Sequence, residues 1–441
     1  MSALAELFAR RGVKVTGCDA KPVGVDDLKR LGIDIVGGHD PAHVAGARAL
    51  VVTSAMPKNH PELEAARSAG LPVIRRAEAL GEATSGNGRE LVGIAGTHGK
   101  STTTVMTAEA LAAAGRDPTA LVGARVARWD GNLRPGSDRL YVVEADEYDR
   151  SFLALSPSVA TVTNIEADHL DIYADLADIR RAFTQFVSGA RTIVLCGDDA
   201  GAASLPAPSS AEVIRYGISS PDARLRATHL RDEPPPAGAV FAVEYDGELL
   251  GSVALRVSGA HNVLNALAAI GAGLALGAPF AGLAYGLANV TGAERRFQLV
   301  GEARGIVVID DYAHHPTEIS ATLSAARARF PGRRVVVAFQ PHLYSRTRDF
   351  AREFACALSG ADVVYLTEIY AAREQPIDGV TADLIVGAFG AEKAKLAWRG
   401  DRATLAEALA GGTRDGDVVI TMGAGDITAT AAELLGRLHP A

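Results

Sequence analysis

The chain has 441 residues, with 44 Lys+Arg against 52 Asp+Glu for a formal charge of −8, and 48% of its residues are hydrophobic. At roughly 100–200 residues per domain that length holds two to four domains, each with its own core, and excludes a single small binding module. The acidic balance gives no general attraction to nucleic acid or anionic membrane, so neither is expected as a partner. Cys18, Cys196 and Cys356 are isolated thiols without metal-ligand or disulfide-framework spacing, which points to a reducing cytoplasm. No apolar run reaches the ~20 residues of a membrane span, and the start shows no signal-peptide pattern. Oligomeric state is left open.

Apolar runs read as buried parallel strands, with Ala/Leu-rich helices between them, divide the chain into three α/β blocks. Residues 1–88 form the first. Its strands are expected at 13–19 and 49–54, yet it opens on the helical run Ser2 to Arg10 with no strand before it. The expectation is a doubly wound domain lacking its first strand and turn. The stretch 84–88 reads as a linker. The second block, 89–297, has strands at 91–95, 140–143, 159–163 and 192–195. A small antiparallel excursion follows over 225–258, with a Pro-rich turn at 234–236 and runs at 239–243 and 253–257. It is expected to pack on the main sheet. The third block, 298–441, has strands at 305–309, 334–339, 363–366 and 417–421, again with doubly wound spacing.

Strand 91–95 runs into Gly96-Thr97-His98-Gly99-Lys100-Ser101-Thr102 and then a helix. Backbone N–H groups of such a loop cradle phosphate, Lys100 adds a point charge, and the Ser101 hydroxyl suits Mg²⁺. The strict Gly-x4-Gly-Lys-Ser spacing fails, because Ile94 stands where the first glycine belongs. Strand 140–143 ends in Glu144-Ala145-Asp146-Glu147-Tyr148-Asp149, carboxylates whose crowding calls for a hard cation. After strand 159–163 comes Asn164-Ile165-Glu166-Ala167-Asp168-His169, where His169 either binds metal or orients a substrate. His261-Asn262 opens a helix and Arg295-Arg296 closes the block. In the third block, Asp310-Asp311-Tyr312-Ala313-His314-His315-Pro316-Thr317-Glu318 and Gln340-Pro341-His342-Leu343-Tyr344-Ser345-Arg346 end neighbouring strands. They read as one wall of a crevice for an anionic substrate and an amine or amino acid. A metal held by both His314 and His315 is disfavoured, since adjacent side chains diverge.

Taken in order, these motifs resemble the Mur ligases of peptidoglycan synthesis, and the resemblance covers essentially the whole chain. It implies a UDP-sugar-binding first domain, a central ATP-binding domain and a third domain that closes over both. The implied reaction is an ATP- and Mg²⁺-dependent amide ligation. The lactyl carboxylate of UDP-N-acetylmuramate takes the γ-phosphoryl group, and the amine of L-alanine attacks the acyl phosphate. By the same resemblance Lys100 binds the β/γ-phosphates, Ser101 and Glu144 hold one Mg²⁺, and His169 holds a second. His261, Asn262 and Asn265 surround the nucleotide, and Arg296 and Asp311 contact ATP. Tyr312, His314 and Arg346 bracket the amino acid, with His315 and His342 on the same substrate side. Asp19, His39 and Ser54 are possible UDP-side contacts, and Leu343 stands where the family often has Arg. A sister ligase that joins a tripeptide to the same UDP-sugar, and an ATP-binding protein without ligase activity, stay open as alternatives.

Overall fold

The structure is a computed structural model that describes every residue except Val23, Asn87, residues 234–236, Thr291, Arg373, Pro440 and Ala441. The linker expected at 84–88 and the Pro-rich turn therefore lie partly or wholly outside the described residues. Chain contacts divide the molecule into two compact units. One comprises Met1–Arg231, Val240–Leu255 and Asn262–Thr291; the other comprises Asp232–Ala239, Arg256–His261 and Gly292–Ala441.

The first unit opens on helix Ser2–Arg10, whose Ala3, Leu4 and Leu7 are buried at the spacing of one helical face. Two parallel pairs follow, Thr16–Asp19 with Asp34–Gly37 and Leu50–Val52 with Val73–Arg75, in separate sheets. Arg11 ties this block to the next. Its guanidinium donates to the Ala83 carbonyl at 2.8 Å and to Asp138 Oδ1 at 2.6 Å.

Beyond it lies a ten-stranded sheet among the described residues. Its centre is the strand Glu90–Ala95, flanked by Val159–Val162 on one side and Ser137–Glu144 on the other, all parallel. Leu91, Val92, Ile94 and Ala95 are buried because helices cover both faces. At about 1.5–3 kcal/mol for each large aliphatic side chain removed from water, this strand anchors the sheet. The excursion after residue 224 differs from the sequence expectation. Strands Leu225–Asp232, Ala239–Tyr245 and Glu248–Ala254 extend the sheet's edge rather than packing on its face. The last two form a hairpin on Asp246-Gly247, both at positive φ, and the second strand ends at 254 instead of 257.

The second unit holds a six-stranded sheet in the order Gln298–Ala303, Ile306–Asp311, Val418–Met422, Val335–Phe339, Val363–Thr367 and Leu396–Gly400. All neighbours are parallel except the first pair. Alternate residues feed opposite cores. Val307, Ile309, Val335, Val337 and Phe339 pack on one side, and Ile306, Val308, Val336 and Ala338 on the other. Every strand expected from apolar runs in this block is present. Among the described residues no helix is long and apolar enough to cross a membrane.

Candidate active site

Strand Glu90–Ala95 delivers the chain into a loop that closes on helix Lys100–Ala113. Gly96 has φ +142°, and a Cβ there would sit 2.0 Å from Thr163 Oγ1; Gly99 has φ +79°, and its Cβ would meet Asn265 Oδ1 at 2.6 Å. Both positions thus need glycine for conformation and for space. The loop is fastened to the neighbouring strand end. The Thr97 N–H donates to the Asn164 carbonyl at 3.0 Å and the His98 N–H to Asn164 Oδ1 at 2.7 Å. The Asn164 amide and the Thr163 hydroxyl both donate back to the His98 carbonyl, and the Glu166 N–H donates to Thr97 Oγ1 at 2.9 Å. His98 Nε2 lies 3.4 Å from Glu166 Oε2.

Lys100 opens the helix with its ammonium turned back over the loop. It donates to the carbonyls of Gly96 at 2.7 Å and Thr97 at 3.0 Å, and reaches Glu147 Oε2 at 2.8 Å. Burial works against its charge, but Glu147, Asp146 and Glu144 outweigh it and hold the lysine above its ordinary pKa. Glu147 is pushed up to about 7, first by burial and further by Asp146, with Lys100 opposing. The Ser101 hydroxyl donates to Glu144 Oε1 at 2.8 Å, and Glu144 Oε2 accepts from the Gly123 N–H at 2.5 Å. A hydroxyl and a carboxylate at this separation form a hard-oxygen donor set that fits a small divalent cation. Thr102 lies half-buried in the helix's first turn.

His169, at φ +54°, has its Nε2 3.8 Å from Glu147 Oε1 and from Asp168 Oδ2, so it shares Glu147 with Lys100. Helix Ala260–Ala275 brings Asn262 and Asn265 to the loop. The Thr103 hydroxyl donates to Asn265 Oδ1 at 3.1 Å, and Asn265 Nδ2 lies 3.5 Å from Asn262 Oδ1. His261 belongs to the other unit, where burial lowers its pKa to about 4 against the opposing charge of Asp232.

A cleft of about 470 Å³ in the first unit is lined by Ser54, Arg75, Arg76, Gly123, Glu144 and Asp146 among others. Glu144 therefore faces both the phosphate loop and this cleft. His39 and Asp19 do not line it. Arg75 and Arg76 close strand Val73–Arg75 and open helix Arg76–Thr84, and the sequence reading did not single them out; it quoted Glu147 and Asn164 within their strand-end motifs without giving either a separate role.

In the second unit the buried Asp311 carboxylate accepts from the N–H groups of Phe297 and Ala313, each at 2.8 Å, which fixes the turn carrying Arg295 and Arg296. Burial raises its pKa to about 6, opposed by Arg296. Both arginines lie over the Tyr312 ring, at 4.9 and 5.2 Å from its centroid. Tyr312 meets the His314 ring edge-on at 5.1 Å, His314 meets His342 at 5.9 Å, and His342 Nδ1 is 3.4 Å from the buried guanidinium of Arg346. These four form one group. His315 does not join it: its ring packs on Phe350 and its Nδ1 caps helix Pro316–Arg329.

A phosphate loop on a parallel sheet, with a carboxylate shared between loop and cleft, defines a nucleotide-using α/β enzyme. Three profiles match this chain: "Mur ligase family, catalytic domain" over residues 1–87, "Mur ligase middle domain" over 94–273 and "Mur ligase, glutamate ligase domain" over 295–425. The UDP-N-acetylmuramate--L-alanine ligase of Acidothermus cellulolyticus is 48% identical over 96% of this chain and 90% of its own length. The protein of the same name from Kineococcus radiotolerans is 45% identical over 99% and 94%. Among solved structures, the UDP-N-acetylmuramate-alanine ligase of Thermotoga maritima superposes with a TM-score of 0.82 at 28% identity, covering 99% of this chain and 96% of that one. A murein peptide ligase from Psychrobacter arcticus gives 0.73 at 25% identity, covering 99% and 96%. The chain belongs to the Mur ligase family.

Proposed function

We propose that this chain is an ATP-dependent ligase that joins L-alanine to the lactyl carboxylate of UDP-N-acetylmuramate in peptidoglycan precursor synthesis. The observation that carries this reading is the position of Glu144, bonded to Ser101 at the phosphate loop and lining the cleft beside Arg75 and Arg76. That arrangement supports a reading in which a γ-phosphate and a carboxylate acceptor meet at one place. The names of the relatives at 45–48% identity support the choice of substrates.

A carboxylate is a poor electrophile, so its oxygen first attacks the γ-phosphorus of ATP and ADP leaves. The L-alanine amine then attacks the acyl carbon, and phosphate departs with one of the original carboxylate oxygens. Two anions approach only where their charge is screened. Lys100 supplies a fixed cation at the β/γ-phosphates, and the loop N–H groups add oriented dipoles. Mg²⁺ held by Ser101 and Glu144, with His169 as ligand to a second ion, would neutralise the phosphate oxygens. Arg75 and Arg76 pair with the diphosphate of the UDP-sugar. Asn262 and Asn265 position the nucleotide from the loop side. The Tyr312–His314–His342–Arg346 group receives the amino acid. In this assignment residues 1–88 bind the UDP-sugar, 89–297 bind ATP and 298–441 bind the amino acid. The reaction is assigned to the cytoplasm, where the three free thiols stay reduced.

The test is product mass. Protein, ATP, Mg²⁺ and UDP-N-acetylmuramate are incubated with L-alanine or with a tripeptide beginning in L-alanine. The proposal expects an amide adduct with the amino acid, and phosphate release only when all components are present. Preference for the tripeptide would reassign the chain to the recycling reaction, and phosphate release indifferent to both would leave only a nucleotide hydrolase.

A further inference from the structure

Strands Glu90–Ala95, Val159–Val162 and Thr192–Cys196 are consecutive neighbours in the large sheet and all parallel, so their C-terminal ends lie side by side. The first end carries the phosphate loop and the second carries Asn164. The third runs into Gly197-Asp198-Asp199, to which the reaction as described gives no part. Asn164 holds the loop closely. Its carbonyl accepts from the Thr97 N–H, and its side chain bonds to both the N–H and the carbonyl of His98. The loop is therefore only as fixed as Asn164 itself.

Asp199 grips the far edge of the same peptide. Its Oδ1 accepts from the Ile165 N–H at 3.1 Å and from the Ala202 N–H at 2.7 Å, the second bond capping the short helix Ala200–Ala203. In a trans peptide the N–H and the carbonyl point in opposite directions. The Asn164–Ile165 unit thus runs as a relay, with Asp199 on its N–H and Thr97 on its carbonyl. Helix Ala200–Ala203 also presses on the next carbonyl. A Cβ on Gly201 would lie 2.4 Å from the Ile165 oxygen, and Ile165 is 3% exposed.

We propose that Asp199 is a positioning residue of the nucleotide site, fixing the Asn164–Ile165 peptide and through it the phosphate loop. The proposal rests on the reading of the Lys100 loop as the ATP site. Loop N–H groups bind phosphate well when they are already aimed, and freedom given back to the loop must be removed again on binding. What the two donors require is an oxygen in the right place. Burial raises the Asp199 pKa while the N–H groups of Ala202 and Ile165 oppose that rise. An amide oxygen at the same position would serve them equally.

Asp198, one residue earlier, has a different task. Its carboxylate accepts from the N–H groups of Ile218, Ser219 and Ser220, in the turn after strand Glu212–Gly217. The two adjacent acids therefore offer a comparison between positioning the loop and holding the fold.

The test is calorimetric titration of the full chain with ATP and Mg²⁺, at a temperature well below the Tm of each variant. Asp199→Ser keeps an oxygen suited to capping the helix but is one bond shorter, so it should lose the Ile165 bond and weaken ATP at least tenfold. Asp199→Asn should bind within about threefold of the unsubstituted chain, and Asp198→Ala should lower the Tm while leaving ATP affinity within about twofold. Gly201→Ala, which pushes on the Ile165 carbonyl, should weaken ATP as well and carries the test if Asp199→Ser does not fold. Unchanged ATP affinity in Asp199→Ser, or an equal loss in Asp198→Ala, would overturn the proposal alone. Absence of ATP binding by the unsubstituted chain would overturn the reading of the loop and the proposal with it.

Discussion

The Lys100 ammonium lies 2.8 Å from Glu147 Oε2, with the two side chains only 13% and 3% exposed. The phosphate-loop cation is therefore neutralised by a carboxylate four residues beyond the end of a neighbouring strand's buried core, and nucleotide binding must compete with that pair. Breaking a buried pair on one side costs about 3–5 kcal/mol when the remaining charge has no escape. Glu147 has one, because burial already raises its pKa to about 7 and removing Lys100 raises it further.

Lys100→Met should consequently show a pH-dependent stability loss. Its folded Glu147 holds a proton that the unfolded chain has released above about pH 4.5, so the native state binds more protons and stability falls as pH rises. The Tm gap from the unsubstituted chain should be small at pH 5.5 and widen through pH 7 to 9. Adding Glu147→Gln should remove the widening. A gap constant with pH would show that the pair carries no such coupling.

Gly99→Ala should loosen the nucleotide site by a steric route. The new methyl group would lie 2.6 Å from Asn265 Oδ1 at φ +79°, disturbing the Thr103–Asn265 contact as well as the helix start. ATP affinity should fall at least tenfold, about 1.4 kcal/mol. Calorimetric titration with ATP measures the loss, and an unchanged affinity in Gly99→Ala would contradict the role given to the loop.

Asp311 gives a linkage signature of its own. Its folded pKa of about 6 exceeds the 3.8 ordinary for an aspartate, so the native state binds the extra proton and this group's contribution falls as pH rises from about 4 to 6. At 1.36 kcal/mol per pKa unit the full swing is on the order of 3 kcal/mol. Denaturant unfolding of the unsubstituted chain relative to Asp311→Asn should show the difference decline across that window. A flat difference would place the Asp311 pKa near that of an ordinary carboxyl.

Arg76→Ala should raise the KM for the UDP-sugar at least tenfold while leaving the KM for ATP within twofold. Arg76 lines the cleft, at the start of helix Arg76–Thr84. Initial-rate measurements with each substrate varied separate the two constants. Equal effects on both would show that the cleft does not belong to the UDP-sugar alone.

Much of this was legible in the sequence because local pattern and tertiary role coincide. An apolar run, glycines and a Lys-Ser pair announce strand, loop and helix start, and the structure has them at Glu90–Ala95, 96–99 and Lys100–Ala113. The hairpin edge was misjudged because Asp246-Gly247 sets its register more strongly than the apolar run at 253–257. Strand Pro118–Val126, whose Gly123 N–H meets Glu144, was not anticipated, since its apolar run is interrupted by glycine and arginine. Partners brought together from distant segments, such as Glu147 with both Lys100 and His169, are properties of packing that no local spacing encodes. The adjacent His314 and His315 show the same limit: one faces Tyr312 and His342, the other caps a helix against Phe350.

The central claim is that a carboxylate is activated by phosphoryl transfer at the Lys100 loop, and oxygen labelling tests it most directly. UDP-N-acetylmuramate carrying ¹⁸O in its lactyl carboxylate would be turned over with ATP, Mg²⁺ and L-alanine, and the released phosphate analysed by mass. The account predicts one labelled oxygen in each phosphate formed; phosphate free of label, with amide product still made, would contradict it.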